Sequence, residues 1–590
     1  MNYRLRKNYT KNPDLALKEI LIDRGVNDFE NFLFPSKKCE LNPYALDNID
    51  LAASVLLQYL RKNDEILIIV DADVDGITSA SVLWLYIKHI FPQAKLHFTL
   101  HEHKQHGLED KIDWIEQQNF QLIIVPDAGS FDIEEHKRLY EAGINCICLD
   151  HHMPIIDDNG NSILPDENYA IVVNNQLSDY YNNKSLCGAG VVYKFCEVLD
   201  DILGINQAEN YLDLVAFGEI ADVMDRTNIE TNYIMIEGLK HIHNKGLKTL
   251  IESQSYSLKE KAIEPYIGLT TTDIAFYIAP LINSIIRVGS MKEKEAAFYC
   301  FIEPERQLPS TKRGALPNDM ETAAEQTARI GKNAKARQDK MKEKAIDLID
   351  FKIQKDELYL NNVIIVELDE HDDIKQELNG LVAMAIVNKY HKPCLIVRRN
   401  SEGLLQGSAR SDGNFSEIPD FKSYLGDSGY FDYTAGHAGA FGAGIYASKL
   451  PSFLNFVNND LSPDAFEKCY VVDYILDAKE NNIDKLLYSL ASHPEYFGNH
   501  IDEIKMVIKN IPLGNILTMG VNKDSMKISY NGIDYVRFKD TKFVEAINNN
   551  RIDLLTVYGR ANINFFAGKT SIQLFIDDYE LKGDSHKYDF

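Results

Sequence analysis

Three short apolar runs, each ending in acidic or histidine residues, constrain the fold of this chain more than any other feature. Residues 65–71 read EILIIVD, residues 121–130 read QLIIVPDAGS and residues 144–152 read INCICLDHH. β-Branched apolar runs of this length are strands buried on both faces, while the intervening DVDGITSASVLWLYIKHI has apolar positions at helical spacing. Strands alternating with helices predict an α/β fold built on a parallel sheet. Ligands of such sheets bind outside the carboxyl ends of the strands, which is where each run places its polar residues.

Those polar residues form a constellation. Asp71-Ala72-Asp73-Val74-Asp75-Gly76 sits at a strand-to-helix turn, where alternate residues point the same way and Asp73 and Asp75 can share one site. Gly76 permits the sharp entry into the helix. Asp127 and Gly129 repeat the arrangement on a second strand end, Asp150-His151-His152 on a third, and Asp222 closes the apolar segment LDLVAFGEIADVMD. Taken singly, each has a bland reading: Asp-Gly is usually a turn, and His-His beside Asp can be a satisfied polar cluster. Together they need compensation, since two carboxylates ~4 Å apart repel by about 4 kcal/mol at an effective dielectric near 20. Divalent cations turn that penalty into attraction. Oxygen ligands with one or two imidazoles suit Mn²⁺ or Mg²⁺, and two such ions bridged by a carboxylate are equipped for phosphodiester hydrolysis.

A chain of 590 residues exceeds one hydrophobic core, so several domains are expected. No apolar run reaches the ~18 residues of a membrane span, and the basic start MNYRLRKNYT is not followed by an apolar stretch, so a cytoplasmic protein without a membrane partner is expected. The eight cysteines are scattered without a CxxC pair or zinc spacing, and those in INCICL are expected to pack as small hydrophobes. Net charge is −26, which counts against a passive nucleic-acid coat. It leaves open a nuclease whose centre is neutralised by metals, because net charge does not fix the sign of one groove.

The chain divides into an N-terminal extension (1–45), an α/β unit (46–320) and a long polar helix (321–350). The helix carries Arg329, Lys332, Lys335 and Arg337, either as a solvated connector or as a basic spine beside a DNA channel. A second α/β unit follows (351–450), then a mixed region (451–514) and a run of alternating strands (515–590) that suggests a small β-barrel.

The ordered motifs DxDxDG, D-x-G, DHH and a later Asp resemble those of the DHH phosphoesterase superfamily. SLCGAGVVYKF (185–195) and LDLVAFGEIADVMD narrow the resemblance to the RecJ-like single-strand exonucleases. Gly407-Ser408-Ala409-Arg410-Ser411 and Ala435-Gly436-His437-Ala438-Gly439-Ala440-Phe441-Gly442 resemble the GSxRS and GGHxxAxG motifs of the DHHA1 domain. The tail VYGRANINFFAGKTSIQLFIDDYEL is similar to that family's OB-type barrel. The resemblance implies a DHH catalytic domain, a DHHA1 domain and an OB-type barrel. It implies that Asp73, Asp75, Asp127, His151 and Asp222 hold two Mn²⁺ or Mg²⁺ ions, with Asp127 as the bridge. Asp71 and Asp150 would orient the ligands, and His152 would contact the scissile phosphate. Ser408, Arg410, Ser411, Gly436 and His437 would grip the strand; close packing is the plain alternative for Gly436 and Gly442.

The chain departs from the family in two places. Pro280-Leu281-Ile282-Asn283 stands where Pro-Arg-x-Asn is usual, with Arg287 further on, and HEHKQHGLED lacks the arginine of the usual Asn-Arg…GYGL stretch. Both arginines would suit a terminal phosphate. Lys104, His101 or His106 could substitute, although a lysine offers a point charge rather than a fork.

The resemblance implies an exonuclease that threads single-stranded DNA between the DHH and DHHA1 domains and releases 5′-mononucleotides from the 5′ end, in DNA repair and recombination. Loading by a helicase or a single-strand-binding protein fits the acidic charge. Phe565 and Phe566 could stack bases or fill the barrel core. The rival readings are a nano-RNA or cyclic-dinucleotide phosphodiesterase and a non-catalytic replication scaffold.

Overall fold

The computed structural model describes residues 1–583 apart from 103–104, 155–161, 370, 416–417, 550–551 and 567–568. Lys104 therefore lies outside the described residues, as does the side chain of Phe566. The described chain forms two compact units. One comprises 21–338 with 494–502; the other comprises 1–20, 339–493 and 503–590.

The first unit is built on a five-stranded, all-parallel sheet. Its order is Lys95–Leu100, Glu65–Val70, Leu122–Pro126, Asn145–Asp150, Ile171–Asn174. Side chains alternate across it. Ile66, Ile68, Val70, Ile124, Ile147 and Leu149 join the larger core with the helices Ile49–Lys62, Val74–Ile90 and Gly188–Leu203. Leu67, Ile69, Ile123, Val125, Cys146 and Cys148 face the other way, with Leu139 of the helix Ile133–Glu141. Burial on both faces explains why the three runs are continuously apolar. The segment 494–502 joins this unit through Arg226, whose fully buried guanidinium donates to Asn232 Oδ1 and to the carbonyls of Glu495 and Phe497.

The helix Ala323–Lys355 begins in this unit. Three of its basic residues are engaged within this unit: Arg329 pairs with Glu321, Arg337 pairs with Glu293 at 2.9 Å, and Lys332 donates to the Ser253 carbonyl.

The second unit holds two large sheets among the described residues, besides a two-stranded pair. A five-stranded sheet runs Tyr433–His437, Ala440–Tyr446, Leu404–Arg410, Cys394–Arg399, Ile364–Leu368, with only its last pair parallel. A seven-stranded sheet runs Tyr474–Asp477, Met506–Pro512, Ile552–Phe566, Lys569–Gly583, Ile533–Arg537, Ser525–Tyr530, Asn515–Met519. The expected OB-type barrel is not formed. Among the described residues the end strands Tyr474–Asp477 and Asn515–Met519 do not pair, so the sheet is open. Two 15-residue strands, Ile552–Phe566 and Lys569–Gly583, run antiparallel at its centre. The mixed region contributes the first two strands of this sheet, and the N-terminal strand Asn2–Leu5 pairs in parallel with Cys469–Val472. No described helix is long and apolar enough to cross a membrane.

Candidate metal centre

Parallel strands bring their carboxyl ends to one edge, and Asp71, Asp127 and Asp150 stand there on three neighbouring strands. Asp73 caps the helix Val74–Ile90, its Oδ1 accepting the Gly76 amide at 2.9 Å. Asp75, on that helix's first turn, accepts the amides of Gly188 at 2.7 Å and Ala189 at 3.0 Å. Those amides open the helix Gly188–Leu203, whose positive end favours a carboxylate. Asp222 terminates the helix Leu212–Ala221.

The side chains converge. His151 Nε2 lies 3.2 Å from Asp127 Oδ1, 3.6 Å from Asp222 Oδ2 and 3.9 Å from Asp75 Oδ2. Asp71, Asp73 and Asp127 each offer an oxygen within 4.8 Å of the others, as do Asp75, His151 and Asp222 with their ligand atoms. Asp127 thus stands in one trio and touches a member of the next. His152 forms a third trio with Asp127 and His151. Asp127 itself holds φ +69°, a left-handed conformation that aspartate tolerates better than most residues, and its amide donates to Leu149 O.

Electrostatics show how uncomfortable this arrangement is without cations. Burial and then Asp75, Asp73 and Asp71 push the Asp127 carboxyl well above its usual range. Burial, Asp71 and Asp75 raise Asp73 to about 6, while burial, Asp75 and Asp73 raise Asp222 to about 8. Burial, then the neighbouring His152, depress His151 and favour the neutral imidazole that a metal binds. Asp71 Oδ1 and Asp127 Oδ1 are buried without a hydrogen-bond partner. Orphaned carboxylate oxygens beside a neutral imidazole, with no thiol among these trios, fit a hard divalent cation.

Asp150 and His152 behave differently. Asp150 Oδ1 accepts from His152 Nδ1 at 2.7 Å and from the His151 amide at 2.7 Å, while Oδ2 accepts the Ser130 amide at 3.0 Å. Burial alone would raise the Asp150 carboxyl, but the charge and hydrogen bond of His152 outweigh it and hold it low. In return His152, against its own burial, is lifted by Asp150 to about 9 and carries positive charge at neutral pH.

At the rim, His106 Nδ1 meets Asp71 Oδ2 at 2.6 Å, and the His106 ring lies 6.3 Å from that of His152. His101 is buried, and its Nδ1 bonds Asp110 at 2.8 Å. Arg287, on the last turn of the helix Ala279–Val288, is lowered by burial and feels the charge of Asp73.

Several contributors escape a reading of motifs. The Gly188 and Ala189 amides are one. Glu219 is another: fully buried, it accepts the Cys187 amide at 3.3 Å, and burial followed by Asp75 drives its carboxyl far up. Asn174 is a third, bonding Ser130 Oγ at 2.9 Å and the His152 carbonyl at 3.0 Å. The Gly-Ala-Gly at a helix start was the one available signal.

The second unit gathers the other group. The register sets Ser408 opposite Gly442 and Arg410 opposite Ala440, and the next strand sets Gly436 opposite Phe441 and His437 opposite Ala440. Gly436 has φ +130°, and a Cβ there would meet the Phe441 Cα at 2.9 Å, so glycine is required by the backbone itself. Ser411 Oγ is buried without a hydrogen-bond partner.

Comparisons with known proteins place the fold in a family. The family model "DHH family, N-terminal domain" matches residues 65–219. The chain is 36% identical, over 99% of its length and 98% of the relative's, to a Bacillus subtilis protein provisionally named SPbeta prophage-derived single-strand DNA-specific exonuclease YorK. It is 25% identical to the single-stranded-DNA-specific exonuclease RecJ of Bacillus subtilis, over 95% of this chain and 67% of that one. Its fold matches the Mn²⁺-bound crystal structure of RecJ from Thermus thermophilus with a TM-score of 0.69 at 20% identity, covering 98% of this chain and 79% of that one. The chain belongs to the DHH family, in the group of proteins named YorK and RecJ.

Proposed function

We propose that this chain is a metal-dependent exonuclease of single-stranded DNA. The observation that carries the reading is the meeting of Asp71, Asp73, Asp75, Asp127, His151 and Asp222 at ligand distance, with two buried carboxylate oxygens that accept no hydrogen bond. The relatives named for this activity supply the substrate.

Asp73 with Asp127, and Asp75 with His151 and Asp222, would hold two Mn²⁺ or Mg²⁺ ions, Asp127 lying between the sets. Bound ions would lower the pKa of a water and neutralise charge on the phosphoryl oxygens. Asp71 is shared between His106 and the first set, and Asp150 fixes the turn that carries both histidines. His152, kept protonated by Asp150, presents a cation to the scissile phosphate. Ser408, Arg410, Ser411, Gly436 and His437 would hold the DNA backbone through hydroxyls, a guanidinium and backbone amides. We assign catalysis to 46–320 and strand binding to 351–450, in DNA repair or recombination in the cytoplasm, with loading aided by a helicase or single-strand-binding protein.

Polarity is assigned as 5′ to 3′, with His106 and Arg287 serving in place of the missing arginines. An internally labelled strand blocked at one end tests this with Mn²⁺ or EDTA. Metal-dependent release of mononucleotides stopped only by the 5′ block is expected. Arrest only by a 3′ block would reverse the polarity. Turnover of di- or trinucleotides alone would identify a small-substrate phosphodiesterase, and inactivity on both would leave a scaffold.

A further inference from the structure

A second cluster of ligand-type side chains lies on the face of the same sheet that the helix Ile133–Glu141 covers. Cys146 and Cys148 alternate along the strand Asn145–Asp150 and so present both sulfurs to one side. His136 approaches from the covering helix Ile133–Glu141. The two Sγ atoms are 3.9 Å apart, and Cys148 Sγ is 3.4 Å from His136 Nε2. All three side chains are buried, and their ligand atoms lie within 4.8 Å of one another.

Buried thiols alone need no explanation, but a fully buried imidazole does. His136 Nδ1 makes no hydrogen bond, and its Nε2 is directed at the Cys148 thiol, which belongs to an apolar core. With Zn–S near ~2.3 Å and Zn–N near ~2.0–2.1 Å, two ligands of one ion stand about 3.5–4 Å apart. The observed separations are of that size. The two thiols divide unequally: hydrogen bonding from Cys148, against burial, lowers the Cys146 thiol, while hydrogen bonding with Cys146 and burial push the Cys148 thiol up.

We propose that His136, Cys146 and Cys148 form a structural site for one thiophilic divalent cation of the Zn²⁺ type. Two thiolates and a divalent ion sum to zero charge, which a dry core accepts; a monovalent ion between two thiolates would leave an uncompensated charge there. Binding replaces two thiol protons, which leave to solvent, by two metal–sulfur bonds, while the imidazole stays neutral. The Gly129 carbonyl, 3.5 Å from Cys148 Sγ, is at hand as an oxygen donor. Gly129 lies between Asp127 and Ser130, and Ser130 holds Asp150. The ion would therefore staple the Asp127 turn to the strand that carries Asp150 and His151, from beneath the acidic centre and with different ligand chemistry.

Cobalt substitution of the full-length, reduced protein tests the site. Co²⁺ should produce a thiolate-to-metal charge-transfer absorption in wild type and in Asp127→Asn, and each of Cys146→Ser and Cys148→Ser should lose it while keeping the wild-type circular dichroism. Zn²⁺ should abolish the band by displacement and raise the melting temperature of wild type but not of Cys148→Ser. Absence of the band in the folded wild-type protein overturns the proposal and leaves the trio a hydrogen-bonded core cluster. A band that survives both serine substitutions also overturns it.

Discussion

Gly188 donates its amide to Asp75 Oδ2 at 2.7 Å while a Cβ on the same residue would lie 2.5 Å from Asp127 Oδ1. One glycine therefore serves two members of the acidic centre, holding one carboxylate and leaving room for another. Gly188→Ala should overpack the site by about 1–3 kcal/mol and displace Asp127. Denaturant unfolding and Mn²⁺ titration would read both effects, with metal affinity falling more than stability. Unchanged Mn²⁺ affinity in a folded variant would contradict this arrangement.

His152 owes its charge to Asp150. Its folded value of about 9 lies above the unperturbed imidazole value of ~6.5. The contribution of a raised group is full below the unperturbed value and is lost as pH rises through the folded one. Nuclease activity should thus hold through neutral pH and decline near 9. In Asp150→Asn the decline should move down toward the ordinary imidazole value. A pH–rate profile at saturating Mn²⁺ checks this, and an alkaline limb unmoved by the substitution would exclude His152 as the titrating group.

Asp222 keeps its proton to about 8 because of burial and the neighbouring Asp75 and Asp73. A metal must displace that proton, so Mn²⁺ affinity should strengthen as pH rises toward 8. Calorimetry in buffers of different ionisation enthalpy should show proton release that diminishes in Asp222→Asn. The same variant should bind Mn²⁺ about tenfold or more weakly. Equal proton release in both proteins would remove Asp222 from the ligand set.

Arg226 is the buried tie between its own loop and residues 494–502. Arg226→Met leaves the Glu495 and Phe497 carbonyls and Asn232 Oδ1 without that donor, each orphan costing about 1–3 kcal/mol. Unfolding should register a loss of several kcal/mol, together with faster proteolysis within 494–502. A loss under about 1 kcal/mol would show that other contacts hold the segment.

What the sequence made legible follows from where the information lies. The three strand ends could be read because a parallel sheet forces consecutive strands to deliver their ends to one edge, so local runs sufficed to gather Asp71, Asp127 and Asp150. The grip of Gly188 and Ala189 on Asp75 could not, since it joins residues 113 and 114 positions apart through backbone amides, and the Gly-Ala-Gly at the helix start does not say which carboxylate they hold. Strand alternation after residue 515 was visible, but closure depends on whether the end strands meet, and here they do not. The pairing of Asn2–Leu5 with Cys469–Val472 is likewise set by the folded surface alone. The Cys146–Cys148–His136 grouping was hidden because two of its side chains share a strand and the third comes from a helix, outside the C-x2-C and H-x3–5-H spacings that signal common zinc sites.

The most direct measurement compares a linear single strand with a covalently closed circle of the same sequence, both uniformly labelled, at saturating Mn²⁺. Degradation of the linear strand to nucleotides with the circle intact is the expected result, and EDTA should abolish it. Cleavage of the circle, or release of nucleotides undiminished by EDTA, would contradict an end-dependent, metal-dependent exonuclease built on Asp73, Asp75, Asp127, His151 and Asp222.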